Sequence, residues 1–281
     1  MEPLVSIIMP AYNAERWIDE AIRSVLAQTH TNWELVIVND GSTDKTAAII
    51  GRFQDMRIRV FHKSNGGIGS ARNLALDRAK GNFICGLDAD DVLPPQSIAD
   101  RLTIFSRHPE TDIVDGSVLF MDGSLSKVLQ LFTPTFVGHP FNELLALTGS
   151  CFMGFSWLIR WDSVQQVRFD EQLSHGEDLL FYLRYAPGKY YRSTASQVLF
   201  YRRTGSSAMS DLSGLEQSYR HILAQLELEG YADRASLALF RKRTRTIMIT
   251  SYLKAGNVSA ALRCLASGRN WSASVTTKRR P

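Results

Sequence analysis

Asp88, Asp90 and Asp91 close the stretch GNFICGLDADD at residues 81–91. Hard carboxylate oxygens suit Mg²⁺ or Mn²⁺, and such an ion could bridge a diphosphate to them. A second acidic pair, Glu177 and Asp178, opens the amphipathic run EDLLFYL after His175 and Gly176. A carboxylate beside a cleft can act as a general base. Gly66, Gly67 and Gly69 precede Arg72; glycines entering a helix allow close backbone approach, and the arginine could meet a phosphate. Arg202 and Arg203, ahead of a Gly and Ser loop, could hold a diphosphate. Each group also has an ordinary reading. Acidic residues after a strand form solvated turns, acid at a helix N-terminus is favoured by the dipole alone, and arginines often face water.

The elements around these residues must bring them together. Asn82 to Leu87 is a short apolar run that reads as a buried strand, and in an extended backbone residues i and i+2 share a side, which would let Asp88 and Asp90 converge. Leu4 to Met9 reads as a strand covered on both faces and ended by Pro10. A helix from Glu15 to Ala27 follows, with Asn13 as its cap. Strands at Trp33–Asn39 and Ile58–His62 alternate with helices at Lys45–Phe53 and Ser70–Ala79. This alternation predicts a parallel sheet with right-handed crossovers, whose ligands bind beyond the carboxyl ends of the strands. A dinucleotide fingerprint would lie in the first strand-to-helix turn, where Pro10, Ala11, Tyr12 and Asn13 stand instead. A nucleotidyltransferase would also be expected to place a glycine-rich basic loop there.

Further along, the pattern predicts a helix over Ile98–Ser106, a strand over Ile113–Phe120, a turn at Asp122–Ser124 into Lys127–Phe132, and a strand over Gln197–Tyr201. Leu144 to Trp161 is apolar; Trp157 and Trp161 are either core or a wall for a flat acceptor. From Ser213 the pattern is helical, with a basic stripe at Arg241, Lys242, Arg243 and Arg245 that is a solvated face or touches anionic lipid. The division implied is a catalytic domain over residues 1–210, split into a nucleotide-binding half (1–95) and an acceptor-binding half (96–210). A helical extension (211–266) and a basic, disordered tail (267–281) complete it.

The 281 residues, 44% of them hydrophobic, can bury one large core or two modest ones. A formal charge of +4 favours anionic partners such as nucleotide phosphates or a membrane surface without calling for nucleic acid. Cys85, Cys151 and Cys264 lie far apart without ligand spacing, as small hydrophobes in a reducing compartment do. Neither a signal peptide nor an apolar run of transmembrane length is evident, so the expected location is cytoplasmic, free or peripheral on the membrane.

Together VSIIMPAYN (5–13), VNDGSTD (38–44), NGGIGSARN (65–73), LDADD (87–91) and FDEQLSHGEDLLF (169–181) resemble the family 2 glycosyltransferases, over roughly residues 4–210. The resemblance implies a GT-A fold, Rossmann-like with a mostly parallel sheet, and an inverting transfer from a nucleotide-sugar with a divalent cation. Pro10, Ala11, Tyr12 and Asp40 would hold the base, usually uracil, with Tyr12 stacking and Asp40 accepting a base N–H. Gly67 and Arg72 would line the nucleotide site. Asp88 would lie toward the ribose or metal shell, with Asp90 on the metal and Asp91 replacing or assisting it. Asp178 would be the base, with Glu177 as its substitute. Saccharide or lipid-linked acceptors in polysaccharide, glycolipid or lipid-linked oligosaccharide assembly are implied. Many relatives carry a histidine shortly after the Tyr-Arg pair; here the run is Tyr201, Arg202, Arg203, Thr204, and Arg202 or Arg203 would take over at the diphosphate. The alternative is a binding module that keeps the fold without turnover.

Overall fold

The computed structural model describes residues 2–152, 154–162, 167–204, 211–268 and 271. Its spine is β1 (Val5–Ala11), flanked by β2 (Trp33–Asp40) and β3 (Ile58–Lys63) on one side and by β4 (Phe83–Gly86) on the other, all parallel. Alternate strand residues feed two cores. Ile8, Val36 and Val38 pack with Ala71 and Ala75 of α3 (Ile68–Arg78). Ile7, Met9, Leu35 and Ile37 pack with α1 (Ile18–Leu26) and α2 (Thr46–Ile50). Coverage on both faces is why these strands read as continuous apolar runs.

Three local expectations need correction. Pro10 lies inside β1 rather than ending it: β4 pairs only as far as Ile8, so Pro10 sits where β1 has become an edge and a missing N–H is tolerated. Asn13 does not cap the first helix, which starts at Ile18. Instead Asn13 adopts φ 48° and its Oδ1 accepts from the Thr43 amide at 2.9 Å, tying the loop after β1 to the loop after β2. Finally, β4 ends at Gly86, and the aspartates after it form a turn closed by the Asp91 amide donating to the Asp88 carbonyl at 3.1 Å. The turn, not strand alternation, gathers them.

Beyond β4 the sheet becomes mixed, in the order β3-β2-β1-β4-β7-β5-β6 with β8 on the other edge of β5. Here β5 is Ile113–Met121, β6 Val128–Phe132, β7 Leu158–Arg160 and β8 Tyr191–Arg202. The expected 122–124 turn joins β5 to β6 as an antiparallel pair. The three-residue β7 was not legible among aromatics and glycines, and β8 begins six residues earlier than the pattern suggested. α4 (Ser97–Arg107), α5 (Phe141–Ala146) and α6 (Glu177–Tyr185) cover this half. Trp157 is core, stacked on Tyr182 of α6 at 4.0 Å, so it is no acceptor wall. The Trp161 amide binds the Asn82 carbonyl, at the start of β4 and opposite the acidic turn.

α7 (Leu212–Glu229), α8 (Arg234–Lys254) and α9 (Val258–Ala266) add their apolar faces to the core that holds α3 and α6. Trp271 corrects the expectation of a disordered tail at that position: it is fully buried, with the Arg220 guanidinium 4.1 Å over its ring. Residues 205–210 and 272–281 lie outside the described residues.

Gly86 earns its place at the end of β4 by making room for Phe155: a Cβ there would stand 2.0 Å from two ring carbons. Overpacking of that kind costs about 3 kcal/mol. Gly86→Ala is therefore expected to lower the urea midpoint clearly, and an unchanged midpoint would show that Phe155 can step aside at no cost.

Candidate active site

Because β1, β2 and β4 are parallel, their carboxyl ends open on one edge, where Asp40 ends β2 and Tyr12 and Asp88 follow β1 and β4. α6 delivers Glu177 and Asp178 to the same place, and the link is Arg72 of α3. Its Nη2 donates to Asp88 Oδ1 and its Nη1 to Glu177 Oε1, each at 2.7 Å. Arg72 is only 1% exposed and lies 4.3 Å over the Phe155 ring and 5.3 Å from that of Phe169. Both open readings of Arg72 are thus displaced: it is a buried clamp between two acidic motifs. The carboxylates raise its pKa further, against the effect of burial. A planar fork can bind two carboxylates at once, which an ammonium cannot do with the same geometry.

The remaining carboxylates are less well compensated. Burial, reinforced by Glu177, pushes Asp178 up to about 7 although Arg72 pulls it down. Asp178 Oδ1 accepts from the Leu179 amide at 2.7 Å, and its other oxygen faces Gly154. Asp90 is pushed up to about 6 by burial and by Asp88. Asp91 is raised well above the usual carboxylate range by burial and by its two acidic neighbours. The two are now distinguishable. Asp91 is buried and accepts from the Arg202 amide at 2.8 Å, whereas Asp88 and Asp90 remain partly exposed. Asp91 braces the turn.

Asp40 is buried and its carboxylate holds the glycine loop, accepting from the Gly66 amide at 3.0 Å, the Gly67 amide at 2.8 Å and Lys63 Nζ at 2.7 Å. Gly67 itself is exposed, at φ 87°. Pro10 and Ala11 are buried, while Tyr12 is 54% exposed, as a ring that stacks on a ligand has to be. Lys63 was not singled out in the sequence; its only signal was its place at the end of a strand beside the one that leads to Asp40.

Arg202 does not present its guanidinium to a ligand. Nε donates to the Asp90 carbonyl at 2.7 Å, Nη1 to the Gly123 carbonyl at 2.7 Å and Nη2 to Glu20 Oε2 at 2.5 Å, over the Trp17 ring. It locks the acidic turn to α1 and to the β5–β6 turn, so the expectation that it replaces a histidine at the diphosphate is corrected. Arg203 is exposed and donates to Gln130 at 3.0 Å.

For a divalent ion, the donor set at the turn is chemically apt: Asp88 keeps one oxygen beyond its bond to Arg72, and Asp90 is partly open. Among the described residues, however, no group of three or more His, Cys, Asp or Glu could hold a metal by itself, so the expected three-aspartate set does not form. Two carboxylates suit Mg²⁺ or Mn²⁺ when substrate phosphates complete the shell. The surface clefts at Ala79–Asn82 with Trp161, and at Glu2, His30 and Phe105, lie at the other end of the strands, away from these groups.

A parallel Rossmann-like half ending in a carboxylate turn, joined to a mixed half that supplies a second acidic pair, defines the GT-A class of glycosyltransferase folds. The chain belongs to glycosyl transferase family 2, whose model matches residues 6–168. It is 34% identical over 268 residues to an uncharacterized glycosyltransferase of Rickettsia felis, which covers 90% of this chain but 44% of that protein, so the chain spans under half of that relative's length. Among solved structures, Staphylococcus aureus TarS 1–349 with UDP-GlcNAc aligns with a TM-score of 0.64 at 18% identity, over 96% of this chain and 93% of that one. A mannosyltransferase of Pyrobaculum calidifontis with GDP-Man and Mn²⁺ gives 0.64 at 17% identity, over 97% and 77%.

Removing the Arg72 guanidinium would leave Asp88 and Glu177 without their shared cation. Breaking a buried pair costs about 3–5 kcal/mol, and the partial exposure of Asp88 favours the lower end. Arg72→Met is expected to destabilise the protein by about 3 kcal/mol in urea unfolding, with Arg72→Lys recovering little of it. A full rescue by lysine would show that charge alone, without the fork, holds the two motifs.

Proposed function

We propose that the chain is an inverting glycosyltransferase that moves a sugar from a nucleotide-sugar, with UDP the favoured nucleotide, to a saccharide or lipid-linked acceptor hydroxyl. The setting that fits is assembly of a polysaccharide, glycolipid or lipid-linked oligosaccharide. The observation that carries this reading is the Arg72 bridge, which holds a donor-side carboxylate, Asp88, and an acceptor-side carboxylate, Glu177, on one guanidinium. UDP-GlcNAc in TarS and GDP-Man in the archaeal mannosyltransferase support a nucleotide-sugar donor on this fold.

In this reading Tyr12 stacks on the base and Asp40, with a lone pair beyond those given to the glycine loop, accepts a base N–H. Pro10, Ala11 and Gly67 shape the nucleotide site, and exposed Arg203 is the arginine free to approach the diphosphate. Asp88 and Asp90 would hold a Mg²⁺ or Mn²⁺ together with the donor diphosphate, an ion that offsets negative charge on a leaving group. Asp178 takes the proton from the acceptor hydroxyl as its oxygen attacks the anomeric carbon in line with the departing nucleoside diphosphate. One displacement from the face opposite the leaving group inverts the centre. Glu177, held by its ion pair with Arg72, keeps the N-terminus of α6 in place, and its negative charge adds to burial in keeping Asp178 basic.

The carboxylate form of Asp178 accepts the proton, and with a pKa of about 7 that form becomes the minor one in acid. The value of kcat is expected to fall below about pH 7 and to level above it. A profile flat down to about pH 5 would take Asp178 out of the base role. Asp178→Asn is expected to cost roughly 10²–10⁴ in kcat while UDP affinity is retained; loss of UDP binding would assign Asp178 to the donor site instead.

The direct test is calorimetric titration with UDP in Mn²⁺, then in EDTA, with GDP for comparison. Metal-dependent, UDP-selective binding is the expected result. A preference for GDP would overturn the uracil assignment of Asp40, and binding of neither nucleotide would point to a module without turnover.

A further inference from the structure

Charge is segregated along this chain. All 28 Asp and Glu lie before Arg234, while eleven of the 32 Lys and Arg lie from Arg234 onward. The structure turns the described part of that segment into the α8–α9 hairpin, closed at Gly256 with φ 73°. Among its described basic residues Arg241 makes an ion pair, to Glu227 at 2.7 Å; Lys254 and Arg263 are exposed and make none.

The same hairpin leaves an apolar stripe in water. Ala260, Ala261 and Cys264 bury one face of α9. Val258, Leu262 and Leu265, at i, i+4 and i+7, are 55%, 58% and 57% exposed, and Leu253 before the turn is 53% exposed. Helical spacing puts these three α9 residues on one side; Arg263 lies about 100° further round from Leu262, within reach of the same surface through its long side chain. An aliphatic stripe on a hairpin that carries exposed cations and no acid is the composition of a helix that lies in a lipid interface. Nucleic acid would use the charge but not the stripe. Among the described residues no helix is long and apolar enough to cross a membrane, so the contact is with its surface.

We propose that the α8–α9 hairpin docks on an anionic lipid bilayer. Leu253, Val258, Leu262 and Leu265 enter the headgroup boundary while Lys254 and Arg263 meet lipid phosphates. The inference does not rest on the reading of the catalytic site, since none of these residues belongs to it.

Vesicle co-sedimentation of the full chain tests it. Vesicles containing about a third phosphatidylglycerol are expected to bind roughly tenfold or more tightly than pure phosphatidylcholine, with salt weakening the binding. Leu262→Ser with Leu265→Ser, and separately Lys254→Glu with Arg263→Glu, are each expected to weaken it about tenfold. All four positions are exposed, and circular-dichroism melting of both variants confirms that the fold is kept. Equal or absent binding to the two vesicle types overturns the proposal, as does retention of binding in either folded variant. A wild-type dimer that the serine variant converts to monomer would also overturn it, because the stripe would then be covered by a second copy.

Discussion

A guanidinium with almost no access to water must have its charge met by the protein. Arg72 meets that requirement with two carboxylates drawn from opposite halves of the chain, one following β4 and one opening α6, 105 residues from Arg72 in sequence. Were either carboxylate displaced, a buried cation would be left half compensated, so the relative position of the two motifs is fixed by desolvation and not by loop geometry alone. Phe155 and Phe169 complete the enclosure, and Gly86, by lacking a side chain, admits the first of them. The consequence is that the acidic groups are held close together in a place where their mutual repulsion cannot relax. Burial first, and the acidic neighbours second, raise the pKa values of Asp90, Asp91 and Asp178.

Two further braces keep the crowded edge in shape. Arg202 joins the acidic turn to α1 and the β5–β6 turn, and Asp40 joins the end of β2 to the glycine loop ahead of α3. Both use charged groups for backbone contacts, which suits turns that have few backbone partners of their own. Side chains that look from their types as though they should meet a ligand are, in these two cases, spent largely on architecture.

That difference marks where sequence reading succeeds and where it stops. The parallel half was legible because both-face burial leaves uninterrupted apolar runs, and strand and helix positions agreed to within a few residues. The acidic clusters were legible as residue types. Their partners were not: nothing in the spacing of Arg72 reveals that it reaches Glu177, since the pairing depends on how the mixed half folds back. β7 was missed because three residues carry no measurable period, and α5 because six residues in an apolar stretch do not separate helix from strand. The roles of Pro10 and Asn13 were misjudged for the same reason. A proline in an edge segment and an asparagine bridging two loops are set by neighbours distant in sequence.

Among the described helices, a side-chain bond from the N-cap residue is confined to the last three: Asp211 accepts from Gly214, Asp233 from Ser236 and Asn257 from Ala260, whereas none of α1 to α6 has one, and the Thr46 amide that opens α2 is met by Asp44 one residue before the cap, at 2.9 Å. Each cap favours helix initiation by about 1 kcal/mol regardless of what the helix later packs against. Helical order is therefore specified locally at the C-terminal end and by the sheet everywhere else. Local opening that loosens the crossovers would melt α2, only five residues long, far more readily than α7 or α8, so amide exchange should set the core that holds α2 and the core that holds α7 and α8 in two tiers of protection.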